Sequence, residues 1–117
     1  MNVKAKDEIW TEDGARLGVA RRWHYRPEDQ INPVERLYAA YLEVENFDLG
    51  DALYIPDVYL AGRDETTGHV LVAASLKQVM RWTWTRTPDF VAFGLGSAVP
   101  LENGSMVGAG QPARPEA

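Results

Sequence analysis

Alternation of apolar and polar positions dominates the first half of the chain and predicts β-strands. Asp13 and Gly14 separate two such runs and form a typical hairpin turn. After the turn, one face of the second run is apolar, with Leu17, Val19, Trp23 and Tyr25. Arg21 interrupts this face and indicates a bend in the strand.

Further short apolar runs continue the strand pattern. "YAAYLEVE", "DALYIP", "DVYLAG" and "HVLVAAS" each have strand length and composition. Pro56 lies between the second and third runs, which fits a sheet edge or corner because proline cannot donate to a central ladder.

The period changes to that of a helix after residue 74. Ser75 and Gln78 have capping-box spacing, which marks a helix start. Pro88 indicates where the segment must end. The apolar positions that we expect on one buried face are Leu76, Val79 and Met80.

Residues 33–45 give conflicting signals. Asn32, Pro33 and Glu35 favour a helix over about residues 33–42, with an N-cap, a first-position proline and a box residue. The apolar alternation over 38–45 favours a strand instead. The patterns therefore predict a mainly β fold with a short C-terminal helix, which the resemblance described below makes a small barrel, and the alternative is an α+β fold with a helix at 33–42.

Length and composition indicate one soluble domain. The 117 residues are 45% hydrophobic, enough for one core, and contain no cysteine. No signal-peptide pattern opens the chain, so we expect a cytoplasmic protein without a membrane span. We place the domain at residues 3–100 and a flexible Gly/Pro/Ala-rich tail at 101–117.

Acidic residues are concentrated in the middle of a chain whose net charge is −5. Residues 27–65 contain ten Asp and Glu against two Arg. Such a block disfavours a broad nucleic-acid footprint, which needs a continuous basic surface. Whether these acids form one patch cannot be read from the sequence.

No recognisable catalytic, metal or cofactor motif is present. His24 and His69 lie far apart without further ligands at metal-site spacing, and we expect ordinary surface or rim residues there. We therefore expect no metal or cofactor.

The order of three motifs resembles a stand-alone PRC-barrel-like domain, the β-barrel type of the photosynthetic reaction centre H subunit and of the 16S rRNA maturation factor. The motifs are "DGARLG" at 13–18, "LYIPDV" at 53–58, and the "VLV" strand leading through a helix to Trp82 and Pro88. This resemblance implies a strand over about 38–45. It also implies a non-enzymatic docking module.

The leading functional expectation is therefore a protein–protein interaction or adaptor module, with homodimerisation as one form of that interaction. The stretch "RWTWTR" supplies aromatic and cationic groups, and we expect Trp82 to be buried with Val79 while Trp84 stays exposed. Residues predicted to bind the partner are Trp84, Arg81, Arg86, Arg22 and Tyr59. Alternatives are RNA or single-strand binding through the Arg/Trp surface, or an acidic phage-type inhibitor of a nucleic-acid-binding enzyme.

Overall fold

Seven strands form one sheet in the computed structural model, which describes residues 2–46 and 51–102. The strands are β1 Glu8–Thr11, β2 Arg16–Tyr25, β3 Ala40–Glu45, β4 Ala52–Pro56, β5 Leu60–Arg63, β6 Val70–Val72 and β7 Ser97–Pro100. The α-helices are α1 Leu76–Arg81 and α2 Asp89–Ala92. Single 3-10 turns occupy Glu28–Gln30, Pro33–Glu35, Asp57–Tyr59 and Thr83–Thr85. The mainly β fold class is confirmed.

The two end strands of the sheet, β4 and β5, follow each other directly in the chain, and this requires the sheet to curl. Its order is β4-β3-β2-β1-β6-β5, with β7 paired to the second half of β2. A flat sheet of six strands would separate β4 from β5 by roughly 24 Å. Only the Asp57–Tyr59 turn joins them, and such a connection spans roughly 15 Å at most. The connection after Pro56, where an edge or a corner was predicted, therefore brings the two ends of the sheet towards each other, which gives a barrel-like shape.

The inner face of this curled sheet holds the hydrophobic core. Its fully buried side chains include Ile9, Leu42, Ile55, Val70 and Val72. The pairing of β2 with β3 shifts register between Ala20 and Arg22, so the predicted bend at Arg21 is a bulge. The bulge keeps both Ala20 and Trp23 on the core side despite their odd spacing.

The ambiguous segment forms a single turn followed by a strand. The Pro33–Glu35 turn ends at Arg36, whose left-handed φ of 62° stops helix growth. Asn32 and Leu37 then exchange two backbone hydrogen bonds of 2.9 Å, which close the loop. Residues 40–45 pair with β2 and β4 on both sides, and this pairing outweighs the local helix signals. The helix alternative at 33–42 is not formed.

The capping box at the start of α1 is confirmed. Gln78 N donates to Ser75 Oγ at 3.2 Å, and Ser75 N donates to Gln78 Oε1 at 2.9 Å. Of the predicted apolar face, only Val79 is buried. Met80 is 56% exposed, so its predicted burial is wrong, because so short a helix meets the core through little more than one side chain.

The predicted hairpin turn also holds the start of α1 in place. Leu76 N donates to Asp13 Oδ1 at 3.1 Å, and the Thr11 hydroxyl donates to the same carboxylate. The Thr11 hydrogen bond is the main cause that lowers the pKa of Asp13, and the Leu76 amide adds to it. The turn between β1 and β2 therefore fixes the direction in which α1 leaves the sheet.

Strand β7 was not anticipated from the sequence, which has a short "SAVP" run there. It pairs with residues Arg22 to Tyr25 of β2. The predicted tail at 101–117 lies outside the described residues beyond Glu102.

An ion pair between Asp7 and Arg63 joins the N-terminal segment to β5. Arg63 Nη2 lies 2.8 Å from Asp7 Oδ2, and Arg63 Nη1 lies 3.2 Å from Asp7 Oδ1. Burial by itself would raise the pKa of Asp7. The hydrogen bonds from Arg63 and from the Lys4 amide outweigh burial, so the pKa lies below its ordinary value.

We expect Asp7→Asn to remove part of the acid-dependent loss of stability. A carboxyl group with a depressed pKa stabilises the fold above its unfolded-state pKa, and this contribution disappears as the pH falls below about 4. At neutral pH the variant should lose under about 1 kcal/mol, since the pair is partly exposed. Urea unfolding at several pH values measures both effects. Asp29→Asn, an exposed position with no described ion pair, is the control, and equal pH profiles for all three proteins would contradict the prediction.

Candidate functional site: an arginine- and aromatic-lined cleft

A half-open cleft of about 540 Å³ lies between β3, β4 and the segment that follows α1. We call it the Arg–Trp cleft, after the lining residues Arg26, Arg36, Arg81, Arg86, Trp82 and Trp84. Tyrosines 38, 41, 54 and 59 complete its aromatic wall, and Asp89 is its one acidic lining residue. The volume is in the range of clefts that hold small molecules or a few side chains.

The four arginines come from two separate parts of the chain, the connection between β2 and β3 and the end of α1 with the segment that follows it. Arg26 directly follows β2, and Arg36 ends the Pro33–Glu35 turn. Arg81 is the last residue of α1, and Arg86 follows the Thr83–Thr85 turn. Their proximity therefore depends on how the loop before β3 and the segment after α1 pack on the same side of the sheet.

Arg26 is part of the cleft wall. Its Nε donates to the Tyr38 carbonyl oxygen at 2.8 Å, and its Nη2 donates to the Tyr41 hydroxyl at 3.3 Å. Its guanidinium also lies 4.6 Å from the centre of the Phe90 ring, a cation–π distance. These contacts fix its position and leave its charge at the edge of the cleft.

The other three cleft arginines are exposed and make no ion pair with any described residue: Arg36, Arg81 and Arg86. Arginines on the rest of the described surface are paired. Arg16 lies 3.2 Å from Glu8, Arg21 lies 3.1 Å from Glu45, and Arg63 binds Asp7. Unpaired guanidinium groups are thus concentrated at the cleft of a chain that is acidic as a whole.

Three rings form a tight cluster on one wall. The ring centres of Tyr59, Trp82 and Trp84 lie 5.1 Å from one another in each pair. Interplanar angles of 50–63° make these contacts tilted or edge-to-face, which are favourable aromatic geometries. All three rings line the cleft, and Tyr59 and Trp82 are only partly buried.

The prediction for Trp82 is confirmed in part, and the prediction for Trp84 is not. Trp84 is 7% exposed and belongs to the core, whereas Trp82 is only partly buried against it. The prediction that Trp84 is exposed is therefore wrong. The Thr83–Thr85 turn after α1 packs against β4, and the local sequence pattern does not specify this packing.

Tyr38 and Tyr59 meet at the cleft with ring centres 6.3 Å apart. Burial raises the pKa of Tyr38, and a hydrogen bond with the Tyr59 hydroxyl raises it further. The Tyr38 phenol is therefore neutral at physiological pH and adds a polar group to the wall without adding negative charge.

Four of the five residues predicted to bind a partner line this one cleft: Tyr59, Arg81, Trp84 and Arg86. Arg22 does not, because it lies on β2 with its Nε 3.7 Å from Glu43 Oε1. Sequence reasoning missed Arg26 and Arg36, and no local signal connects either of them with α1.

The histidines differ from each other in environment. His24 is 7% exposed, with its Nε2 2.7 Å from Glu43 Oε1, so of the predicted surface or rim positions a surface position is excluded for it. His69 stacks on Trp10 at 4.9 Å. Within residues 2–46 and 51–102, no group of three or more His, Asp or Glu could hold a metal ion. None of the helices in these ranges has the length and apolarity to cross a membrane.

The acidic middle of the chain is partly neutralised by its neighbours. Glu43 contacts His24 and Arg22, and Glu45 lies 3.1 Å from Arg21. Asp64 accepts hydrogen bonds from Thr66 and Thr67 within its own turn. These three acids therefore serve local contacts.

Comparison with known proteins gave no relative: no protein-family model, no curated protein and no solved structure matches the chain. The PRC-barrel resemblance stays a prediction from the sequence motifs, and the site is interpreted from its own geometry.

Proposed function

We propose that this protein is a non-enzymatic protein–protein interaction module that docks a partner through the Arg–Trp cleft. One observation carries the proposal. Three exposed guanidinium groups without ion pairs surround a single aromatic cleft, while the other described arginines of this acidic chain are paired or built into the cleft wall. Arginine and aromatic side chains are also the residues most enriched at energetically important protein interfaces.

The geometry favours a protein partner over a nucleic acid. Non-specific single-strand binding uses aromatic faces on which successive bases stack, along a basic groove. The Trp84 ring is buried against Tyr59 and Trp82, so it does not provide a stacking surface. The loop that carries Arg36 also carries Glu28, Asp29 and Glu35, which would repel a phosphate backbone next to the cleft.

The inhibitor alternative has less support from the charges. A surface that imitates nucleic acid needs free, ordered carboxylates, and several acids of residues 27–65 are instead engaged with arginines, a histidine or turn hydroxyls. Self-association remains part of the proposed function, with a second copy as one kind of protein partner.

The proposal predicts that capture of a partner depends on the cleft arginines. Immobilised wild-type protein and an Arg81→Ala/Arg86→Ala double variant are compared in lysate of the source cells, with and without nuclease treatment, by quantitative mass spectrometry. We expect at least one protein to be enriched by the wild type and depleted about tenfold or more by the double variant, since each lost charge-assisted hydrogen bond weakens binding by that order.

Lys77→Ala is the matched control, because Lys77 is an exposed cation on α1 that does not line the cleft. It should capture the same protein as the wild type. Capture that is indifferent to the double variant, or that disappears after nuclease treatment, contradicts the proposal. Light-scattering mass of the purified protein tests a second copy as the partner.

A further inference from the structure

We infer that the group bound in the Arg–Trp cleft is an acidic peptide segment that carries an aromatic side chain. This inference rests on the proposed function and specifies the chemistry of its partner. It follows from three properties of the cleft: the sign of its charge, the arrangement of its rings and the charges at its rim.

The charge of the cleft requires an anionic occupant. Four arginines line it against Asp89 alone. Arg36 and Arg86 lie on loops, and Arg81 lies at the end of α1, so the three exposed guanidinium groups project from separate segments. Cations dispersed in this way suit several carboxylates on one flexible segment, each of which can pair with a different guanidinium.

The rings of the wall suit one inserted aromatic side chain. Tyr59 and Trp82 are both partly buried and meet at 50°, with Tyr38 edge-on to Tyr59 at 82°. A Phe or Tyr ring can extend such a cluster in a tilted or edge-to-face geometry at ordinary centroid distances. A row of bases would instead need parallel, open ring faces.

The acidic residues at and beside the cleft favour a peptide over a nucleotide chain. A phosphodiester backbone has a fixed charge on every unit and needs a continuous basic track. Glu35 and Asp57 are the sequence neighbours of the lining residues Arg36 and Pro56. Asp89 itself lines the cleft. A peptide can place its carboxylates at the arginines and neutral residues at these acids, so it avoids the repulsion.

The experiment uses the full chain and synthetic peptides with intrinsic tryptophan fluorescence as the readout, since Trp82 and Trp84 lie at the cleft. The probe is a peptide of Asp and Glu residues around one Phe. Its matched partners are the same peptide with Asn and Gln in place of the acids, and with Ala in place of Phe. Oligo-dT and adenosine monophosphate are the nucleic-acid arms.

We expect the acidic Phe peptide to bind, the Asn/Gln peptide not to bind, and the Ala peptide to bind several-fold more weakly. Arg81→Ala and Arg86→Ala should each weaken binding about tenfold, and Lys77→Ala should leave it unchanged. Binding should also weaken with added salt, since the pairs at the rim are solvated.

Two results would overturn the inference. One is tighter binding of oligo-dT or adenosine monophosphate than of the acidic Phe peptide, and the other is peptide binding that does not depend on Arg81 or Arg86. If the peptides fail while capture from lysate still requires the two arginines, only the acidic aromatic segment is wrong. If that capture loses its dependence on the arginines, the proposed function itself fails.

Discussion

Replacing Trp84 by alanine should lower the free energy of unfolding by about 3–5 kcal/mol, the cost of truncating a large aromatic side chain in a core. Trp84 is 7% exposed, belongs to the main hydrophobic cluster, and packs on both Tyr59 and Trp82. Its removal would leave a void beneath Tyr59 and Trp82 in the wall of the cleft. Urea unfolding followed by far-ultraviolet circular dichroism measures the loss.

Two further variants make the Trp84 prediction specific. Trp82→Ala should cost less, because that ring is only partly buried against the core. Met80→Ala should change stability by no more than about 0.5 kcal/mol, since the Met80 side chain is 56% exposed. If Trp82→Ala is less stable than Trp84→Ala, Trp82 and not Trp84 is the more deeply buried ring, and the prediction is contradicted.

Gly18→Ala should be comparably destabilising, at about 3 kcal/mol or more, for two reasons that add. Gly18 has a φ of 150°, which L-residues with side chains rarely adopt. A methyl group at Gly18 would also collide with the carbonyl oxygen of Glu45 in β3, and this is backbone that cannot move without disturbing the sheet. The change therefore strains β2 and pushes β3 away from it.

Gly62→Ala separates these two causes. Gly62 lies in β5 with a similar φ of 141°, but a methyl group there would meet no atom within 4 Å. It should carry only the conformational cost, on the order of 1–2 kcal/mol. Thermal and urea unfolding of the two variants would then differ by the cost of the collision. Equal losses would mean that β3 accommodates the methyl group freely, contrary to the prediction.

Trp84 links the core to the candidate site. The same ring fills the interior and supports Trp82 and Tyr59 at the surface of the cleft. The Trp84→Ala variant is therefore unsuitable as a binding test, because lost affinity would follow from lost structure. Arg81 and Arg86 are exposed and unpaired among the described residues, so their replacement tests recognition with little effect on folding.

Local sequence signals correctly predict the features that depend on residues close together in the chain. The Asp13-Gly14 hairpin and the Ser75–Gln78 capping box form as predicted, and Pro56 ends a strand at the edge of the ladder, as its type predicts. Each is decided by hydrogen bonds or backbone restrictions within about four residues. The mainly β class follows from the same kind of signal, repeated along the chain.

Around residues 33–45, local signals do not predict the secondary structure correctly. Asn32, Pro33 and Glu35 start a turn as their types predict, but the residues after Arg36 form a strand. Pairing of β3 with β2 and β4 supplies contacts with residues distant in sequence, and a helix would lose them. The PRC-barrel resemblance pointed to the strand, whereas the capping pattern did not.

The sequence by itself determined the β architecture, the hairpin, the helix cap and the presence of an Arg/Trp-rich segment. Tertiary structure decided which tryptophan is buried, because burial depends on the surface against which the Thr83–Thr85 turn folds. It also decided that Arg26 and Arg36 join Arg81 and Arg86 around one cleft. These groups are brought together by packing between distant segments, and no spacing along the chain encodes that proximity.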